Sequence, residues 1–524
     1  MSEQLALLPG YLTAHLQLTL LALLSSAAVS LPLGVALTRI RWLEQPALNV
    51  AGVIQTIPSL ALLAVMVPLL ASLGLRSIGF LPAFIGLTLY GVLPMLRNTV
   101  TGIAGVDPAL KEAARAVGMT PAQQLRRVEL PLAMPVIVAG IRTATVWTVG
   151  IATLSTPVGA TSLGNYIFSG LQTRNYAAVL VGCVAAAALA MLLDGLVRAL
   201  EIGVRTRRRR RVGVVVAAMA ALYLYTGLTL VAALLPRGGR PVTIGAKGFT
   251  EQYILAHLLG QWVERETGRL TTQMQSLGSM VAFDALAAGD IDVYVDYSGT
   301  LWANQMGRET VGMDRATVLA EVGAFLAARY GIQVAATLGF ENAYAIAMRA
   351  RDAELMRLTR ISDLAPLARG LSMGGDYEFF SRPEWTAIRD TYGLAFKEQR
   401  TMDPALMYQA VAEGAVDLIS AFTTDGRISA YDLRVLEDDR AAIPPYDALI
   451  LVSARLAREW PDVLAALTRL EGSVDVDAMR RMNLAVDEHG AAPSTVAADY
   501  LRRVLSQRIG PSVPERDARS GTAP

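Results

Sequence analysis

The sequence predicts a two-part chain: a membrane-embedded α-helical region of five core spans plus one tethering span, followed by an α/β domain of two lobes. Three observations carry this reading. Hydrophobic residues make up 53% of the 524 residues, more than a soluble protein needs. That excess is concentrated before residue 237, where long apolar stretches alternate with short polar breaks. From Arg237 onward, strand-like and helical patches alternate at ordinary soluble composition.

Six stretches are long and apolar enough to cross or nearly cross a bilayer: residues 12–37, 47–73, 81–96, 135–158, 176–200 and 212–236. Charge sets their direction. No Lys or Arg precedes Arg39, so the first span is expected to start outside, with Arg39 and Arg41 in the first inside loop. Counting crossings from there puts residues 97–127 inside, together with the run RTRRRRR at 205–211. This run reads as a cytoplasmic anchor with anionic membrane lipid as its partner. The sixth span then runs outward and delivers everything after 236 to the extracytoplasmic side. The first apolar segment carries Glu3 and lacks the basic region of a signal peptide, so it is expected to be retained as a helix.

Within the spans, Arg142 and Asp194 are expected either to serve the pathway or to pair locally near the inner interface. The loop GATSLGNYIFSGLQ at 159–172 reads either as a plain connection or as a segment that re-enters to gate the pathway. Cys183 is the one cysteine, which excludes a disulfide framework; in its apolar run it is expected to be a small buried hydrophobe.

In the soluble part, residues 242–245 read as a strand and 251–264 as a helix with Thr250 as N-cap. Further patches at 283–288, 291–294, 343–348, 411–419, 448–452 and 454–467 continue the alternation, which implies lobes with largely parallel sheets. Residues 237–241, RGGRP, form a short linker, and the charged, small-residue tail 514–524 is expected to be disordered.

Several function classes are excluded. The 47 basic and 45 acidic residues nearly cancel, and no basic, aromatic-interleaved surface suggests a nucleic acid partner. His15, His257 and His489 lack metal-ligand spacing, and no HExxH, GxSxG or CxxC pattern occurs, so no catalytic, metal or cofactor site is expected. Lys111, Lys247 and Lys397 all lack P-loop context, so this chain is not expected to hydrolyse nucleotide by that mechanism.

The run KEAARAVGMTPAQQLRRVELP at 111–131 is a polar helix-turn-helix between apolar segments: Gly118 ends one helix and Thr120-Pro121 starts the next. An ordinary amphipathic hairpin shares that pattern, but it would not be bracketed by spans. The run resembles the EAA loop of binding-protein-dependent ABC permeases, with Glu112, Ala113, Ala114 and Gly118 at the family's spacing and Leu130-Pro131 closing it. The resemblance implies that these six residues dock a separate cytosolic ABC ATPase. It also implies a permease core paired as a homodimer in a bacterial inner membrane.

The soluble part resembles the binding proteins for glycine betaine, choline and related quaternary ammonium compounds. Seven segments carry the match in family order: GAKGFTEQ (245–252), DVYVDYSGT (292–300), GFENAY (339–344), GDYEF (375–379), Met402 to Pro404 with Tyr408, FTTDGRI (422–428) and PPYD (444–447). A methylated ammonium offers no N–H, so aromatic faces hold it best. By resemblance, Tyr297 and Tyr344 are cage walls, and Phe422 stands where the family commonly has tyrosine; Tyr446 or Trp302 are further candidates. Thr300, Asn342 and Thr423 are candidates for the ligand's polar end. Tyr344 and Phe422 read alternatively as core, and Tyr377, Phe379 and Phe380 chiefly as core.

Together these expectations describe a membrane α-helical ABC importer permease followed by a periplasmic-binding-protein-like domain. Its parts are a permease domain (1–204), a basic loop, tethering helix and linker (205–240), an extracytoplasmic receptor (241–513) and a tail (514–524). The expected solute is a quaternary ammonium compound, with ergothioneine or another amino acid derivative as the alternative. A membrane-tethered sensor and a tethered enzyme are the competing classes; the docking loop disfavours the first and the lack of a catalytic constellation the second.

Overall fold

The computed structural model describes residues 2–173, 175–206, 208–234, 240–308, 314–376 and 378–505. Arg207, most of the linker, Tyr377 and the tail 514–524 lie outside the described residues. The chain divides into two compact units, one of residues 1–171, 175–240 and 274–290, the other of 172–174, 241–273 and 291–524.

The first unit opens with α1 (Ser2–Leu37), an apolar helix that continues through Pro9 and Pro32. Then come α2 (Arg41–Thr56) and α3 (Ser59–Ser72). One continuous span over 47–73 was expected from hydropathy; instead, these two helices meet at 98°. Pro58 lacks an N–H and disfavours the helical region for Ile57, which sits at φ −70° and ψ 127°. Tyr90 donates its hydroxyl to the Ile57 carbonyl, and Gln55 Nε2 donates to the Tyr90 carbonyl at 3.2 Å. A carbonyl left bare in hydrocarbon costs on the order of several kcal/mol, so this partner makes the bend tenable.

α4 (Phe80–Ala104) leads through two short helices, α5 (Pro108–Ala116) and α6 (Pro121–Gln124), to α7 (Leu130–Thr153). Helices α1, α4 and α7 form the centre of the bundle. Small residues permit close approach: Ser26 Oγ donates to the Thr88 carbonyl at 2.8 Å, and a Cβ on Gly140 would lie 2.7 Å from the Pro94 carbonyl oxygen. Lipid gives helices no hydrophobic reason to associate, so such contacts carry the packing.

α8 (Gly164–Gln172) is too short to span and packs on α9 (Tyr176–Arg205), where Tyr166 covers Gly182. Arg142 on α7 forms a bidentate pair with Asp194 on α9 at 2.9 and 3.1 Å, with Glu201 at 3.5 Å, which is the local pairing reading of these two residues. Cys183 is exposed, not buried. α9 turns Ala178, Gly182, Leu189 and Leu193 inward, and position 183 falls beside that stripe. Helix α10 (Arg209–Leu234) packs on α9 and α1. Among the described residues five helices are long and apolar enough to cross a membrane, or six if the bent pair is one span.

After residue 240 the described residues form ten strands: β1 (Val242–Lys247), β2 (Thr271–Leu277), β3 (Val293–Tyr297), β4 (Gln333–Glu341), β5 (Tyr344–Arg349), β6 (Ser372–Gly375), β7 (Glu398–Thr401), β8 (Leu418–Phe422), β9 (Leu433–Val435) and β10 (Asp447–Val452). They form two sheets, ordered β2-β1-β3-β10-β4 and β7-β6-β8-β5-β9. The sheets are mixed, not largely parallel: β10 runs antiparallel to both β3 and β4, and β5 antiparallel to both β8 and β9. Each antiparallel strand enters its sheet where the chain crosses between lobes, once after β4 and once after β9.

Helix α11 (Thr250–Thr267) follows β1. Phe249 occupies its N-cap position, so the expected Thr250 cap is corrected; the Thr250 hydroxyl instead donates to Asp487 at 2.6 Å. The helix expected over 454–467 is two, Ala454–Glu459 and Pro461–Thr468, because Pro461 begins a new one.

Candidate functional site

The candidate site is built where β5 begins and β8 ends. These strands pair antiparallel with Tyr344 opposite Phe422, which brings the rings to 4.9 Å between centroids, tilted 39°. Phe379 lies 5.2 Å from Tyr344, and Tyr446, just before β10, meets it edge-on at 6.3 Å. Tyr344 is thus the hub of an aromatic cluster formed from both chain crossings. Tyr297, at the end of β3, stacks on Phe249 at 6.4 Å and makes no ring contact with that cluster among the described residues. Trp302 is buried with the Arg308 guanidinium 4.9 Å from its ring centroid.

Charge enters through Arg382, which follows the GDYEF segment. Its guanidinium lies 5.4 Å from the Tyr344 ring centroid, 3.3 Å from Glu384 and 2.9 Å from Glu378. Glu384 is completely buried and also accepts the Tyr446 hydroxyl. Burial works against the Arg382 charge, but its anionic neighbours, the Glu384 carboxylate among them, outweigh burial and raise its pKa. Burial also lifts the Tyr344 pKa, with Arg382 opposing. The site therefore holds a permanent cation against a neutral phenol.

A second polar group centres on Glu251 of α11. Its carboxyl is buried and accepts from the Tyr297 hydroxyl, from Asn342 Nδ2 at 3.0 Å and from Asn483 Nδ2 at 3.3 Å. Burial raises the Glu251 pKa while these hydrogen bonds hold it down. Asn342 thus commits its donor to Glu251, and its buried Oδ1 has no hydrogen-bond partner among the described residues. Thr423 accepts from the Ala343 N–H at 3.0 Å and donates to the Glu341 carbonyl at 3.1 Å, so its hydroxyl is engaged in fixing the first crossing. Thr300 sits in the helical turn after β3, next to Gly299, where a Cβ would come within 2.8 Å of the Tyr446 ring.

The predicted docking residues lie in the other unit. α5 starts at the Asp107 cap, which accepts from the Ala109 N–H at 2.8 Å, and ends where Gly118 takes φ +79°. Thr120 and Gln123 form a reciprocal capping box for α6, with Pro121 at its first turn. Glu112, Ala113, Gly118 and Pro131 are exposed, Leu130 is half-buried, and Ala114 is buried as the anchor of α5. Nothing stands within 4 Å of a Cβ built at Gly118, so glycine is required there by conformation and not by space. Glu129 is buried and ties the segment to the end of α1 through Arg39 at 2.5 Å, with Gln124 Nε2 at 2.7 Å.

The model of the binding-protein-dependent transport system inner membrane component matches residues 29–206. That of the substrate binding domain of ABC-type glycine betaine transport systems matches residues 240–503, half of the chain. The chain is a member of this family, a permease fused to its substrate-binding domain. An ergothioneine transport permease/binding protein of Helicobacter pylori is 29% identical over 473 residues, covering 87% of this chain and 83% of that protein. A choline transport system permease protein of Bacillus subtilis is 45% identical over 34% of this chain and 80% of its own length. A crystal structure of a glycine betaine/carnitine/choline ABC transporter aligns with a TM-score of 0.46 at 29% identity, covering 50% of this chain and 98% of that one.

In this fused transporter subunit, sequence reasoning missed Arg382, Glu384 and Glu251. Each is an ordinary charged residue in a polar stretch; only the distance to Tyr344, Tyr446 or Tyr297 reveals it. For Glu251 the one available signal was its place directly before the apolar run 253–256.

Proposed function

We propose that this importer subunit takes up a quaternary ammonium solute that also carries a carboxylate, the chemistry of glycine betaine. The Arg382 guanidinium over Tyr344 carries this reading. An aromatic cluster alone attracts any soft cation. A positive charge on the same ring favours a zwitterion over a bare cation; Glu384 takes Arg382 Nε and Nη2 and Glu378 takes Nη1, so a ligand carboxylate would meet the second hydrogens of the two Nη groups. In this scheme Tyr344, Phe422 and Tyr446 hold the ammonium end and Arg382 the carboxylate. Thr300 and the Asn342 carbonyl orient the middle of the ligand, and Tyr297 acts through Glu251 and Asn342; Thr423 stabilises the crossing strand.

Residues 1–204 serve as the permease, 205–240 as tether and 241–513 as an extracytoplasmic receptor. Two permease cores pair, and separate cytosolic ATPases dock on Glu112, Ala113, Ala114, Gly118, Leu130 and Pro131. Ligand binding closes the two lobes about the crossings after β4 and β9. Ergothioneine is the second reading, favoured by the fused layout shared with the Helicobacter pylori relative over 83% of its length. Titration of the purified protein with glycine betaine, carnitine, choline and ergothioneine tests the proposal. Tight binding of a carboxylate-bearing compound with weak choline binding is expected; choline binding as tightly would refute it.

A further inference from the structure

Helix α10 is held to the bundle at both ends and leaves a gap between them. At one end Tyr225 and Thr13 hydroxyls meet at 2.7 Å, and Gln17 Nε2 donates to Thr229 Oγ1 at 2.9 Å. At the other end α9 and α10 close tightly, since a Cβ on Gly203 would stand 2.9 Å from Val212. Between these fastenings lies a cavity of about 180 Å³ among α1, α4, α7, α9 and α10, walled by Leu20, Ala27, Ile141, Val197, Met219 and Leu222, among others. Thr145 on its wall is satisfied by the Ile141 carbonyl at 2.8 Å, so it asks for no polar ligand. The wall is not sealed, because Leu24 keeps 52% of its surface exposed. An apolar cavity of about 150 Å³ stays dry and takes up apolar molecules, so this one suits hydrocarbon.

The nearby charge identifies which hydrocarbon. Arg205, Arg208, Arg209, Arg210 and Arg211 are all exposed in the α9–α10 turn, and none has an ion-pair partner among the described residues. The acidic residues of α9, Asp194 and Glu201, are already engaged by Arg142, so they do not offset the cluster. Val197 precedes Arg205 by eight residues and Met219 follows Arg211 by eight, which at 1.5 Å rise is about 12 Å along either helix. One leaflet's hydrocarbon is about 15 Å thick. A chain whose headgroup rests on the arginines therefore reaches the cavity near its far end.

We propose that these arginines and the cavity form a seat for one anionic phospholipid, its phosphate on Arg205 and Arg208 to Arg211 and one acyl chain between α1, α9 and α10. The seat rests on the membrane placement of these helices and not on the identity of the solute. Its occupant fills the space between the tethering helix and the core at the depth of Met219 and Leu222.

Native mass spectrometry of the purified full chain tests it, with phosphatidylglycerol, phosphatidylcholine of the same chains, and dihexanoyl phosphatidylglycerol added at equal concentration. Long-chain phosphatidylglycerol is expected to be retained at least five-fold more than the other two. Leu222→Trp, which fills the cavity, and a combined Arg208→Gln, Arg209→Gln, Arg210→Gln, Arg211→Gln variant should each reduce its retention at least five-fold. Ala27→Leu narrows the same cavity from α1 and serves if the tryptophan variant does not elute as a single species. Equal retention of the two headgroups, of the short-chain lipid, or by every folded cavity variant would overturn the proposal, the last by showing adhesion to the arginines alone. Betaine titration of the same samples is read separately, so loss of solute binding is not confused with loss of lipid.

Discussion

Replacing Arg382 by glutamine should separate zwitterions from plain cations at the receptor site. The guanidinium is 12% exposed and lies 5.4 Å from the Tyr344 centroid. A charge-assisted hydrogen bond contributes about 1.5–3 kcal/mol, so glycine betaine should bind roughly 10- to 150-fold more weakly. Choline has no carboxylate to lose and is relieved of a neighbouring positive charge, so its affinity should stay the same or rise. The variant has a structural cost as well. Glu384 is fully buried, and removing one partner of a buried ion pair destabilises by about 3–5 kcal/mol. The Tyr446 hydroxyl remains its hydrogen-bond donor. An Arg382→Gln, Glu384→Gln double variant removes both charges and should recover most of that stability while keeping the ligand preference inverted. Calorimetric titration of both variants with glycine betaine and choline, beside their melting temperatures, reads the two effects independently. Equal weakening of both ligands in the double variant would refute the assignment of Arg382 to the carboxylate.

Three further outcomes follow from the geometry. Tyr344→Ala removes the hub of the aromatic cluster and should weaken binding of a methylated ammonium by about 2 kcal/mol, measured by the same titration; unchanged affinity would take its ring out of the cage. Gly118→Asp forces a side chain into φ +79° on the exposed turn and should abolish solute uptake by reconstituted vesicles while leaving receptor binding intact. Burial pushes the Asp487 carboxyl up to about 7, with Arg427 opposing. Both states are protonated below the ordinary value of 3.8, and only the unfolded chain ionises between there and about 7. Stability is therefore lost as pH rises through that window, by about 4 kcal/mol at 1.36 kcal/mol per unit. Asp487→Asn should raise the receptor's melting temperature at pH 8 and leave it unchanged at pH 4; the reverse order would show that the carboxylate form is the stabilising one.

Membrane spans were legible because hydrophobic length is a property of consecutive residues. The bend at Ile57-Pro58 was not, since whether a proline kinks or breaks a span depends on what donates a hydrogen bond to the freed carbonyl, here Tyr90 from thirty-three positions away. The docking segment was legible down to its caps, because Asp107, Gly118, Thr120 and Pro121 act on their own neighbours. Its attachment through Glu129 to Arg39 spans ninety positions and left no local trace.

The receptor site divides the same way. Its aromatic residues stood out by type, and the register of β5 on β8 placed two of them together. Tyr297 belongs to a different shell, and Asn342 and Thr423 direct their hydrogen bonds inward, because their partners come from α11 and the crossing strands.

By itself the sequence determined what kinds of segment exist and in what order: apolar spans, a capped polar turn, an arginine run and alternating strands and helices. These are decided by short-range sterics, capping and the transfer of side chains out of water, which act within a few residues. The tertiary structure alone decided which charge meets which ring, which hydroxyl is already engaged and where a gap remains between helices. Those depend on distances between residues tens to hundreds of positions apart, and electrostatic and packing energies change steeply with a few ångströms.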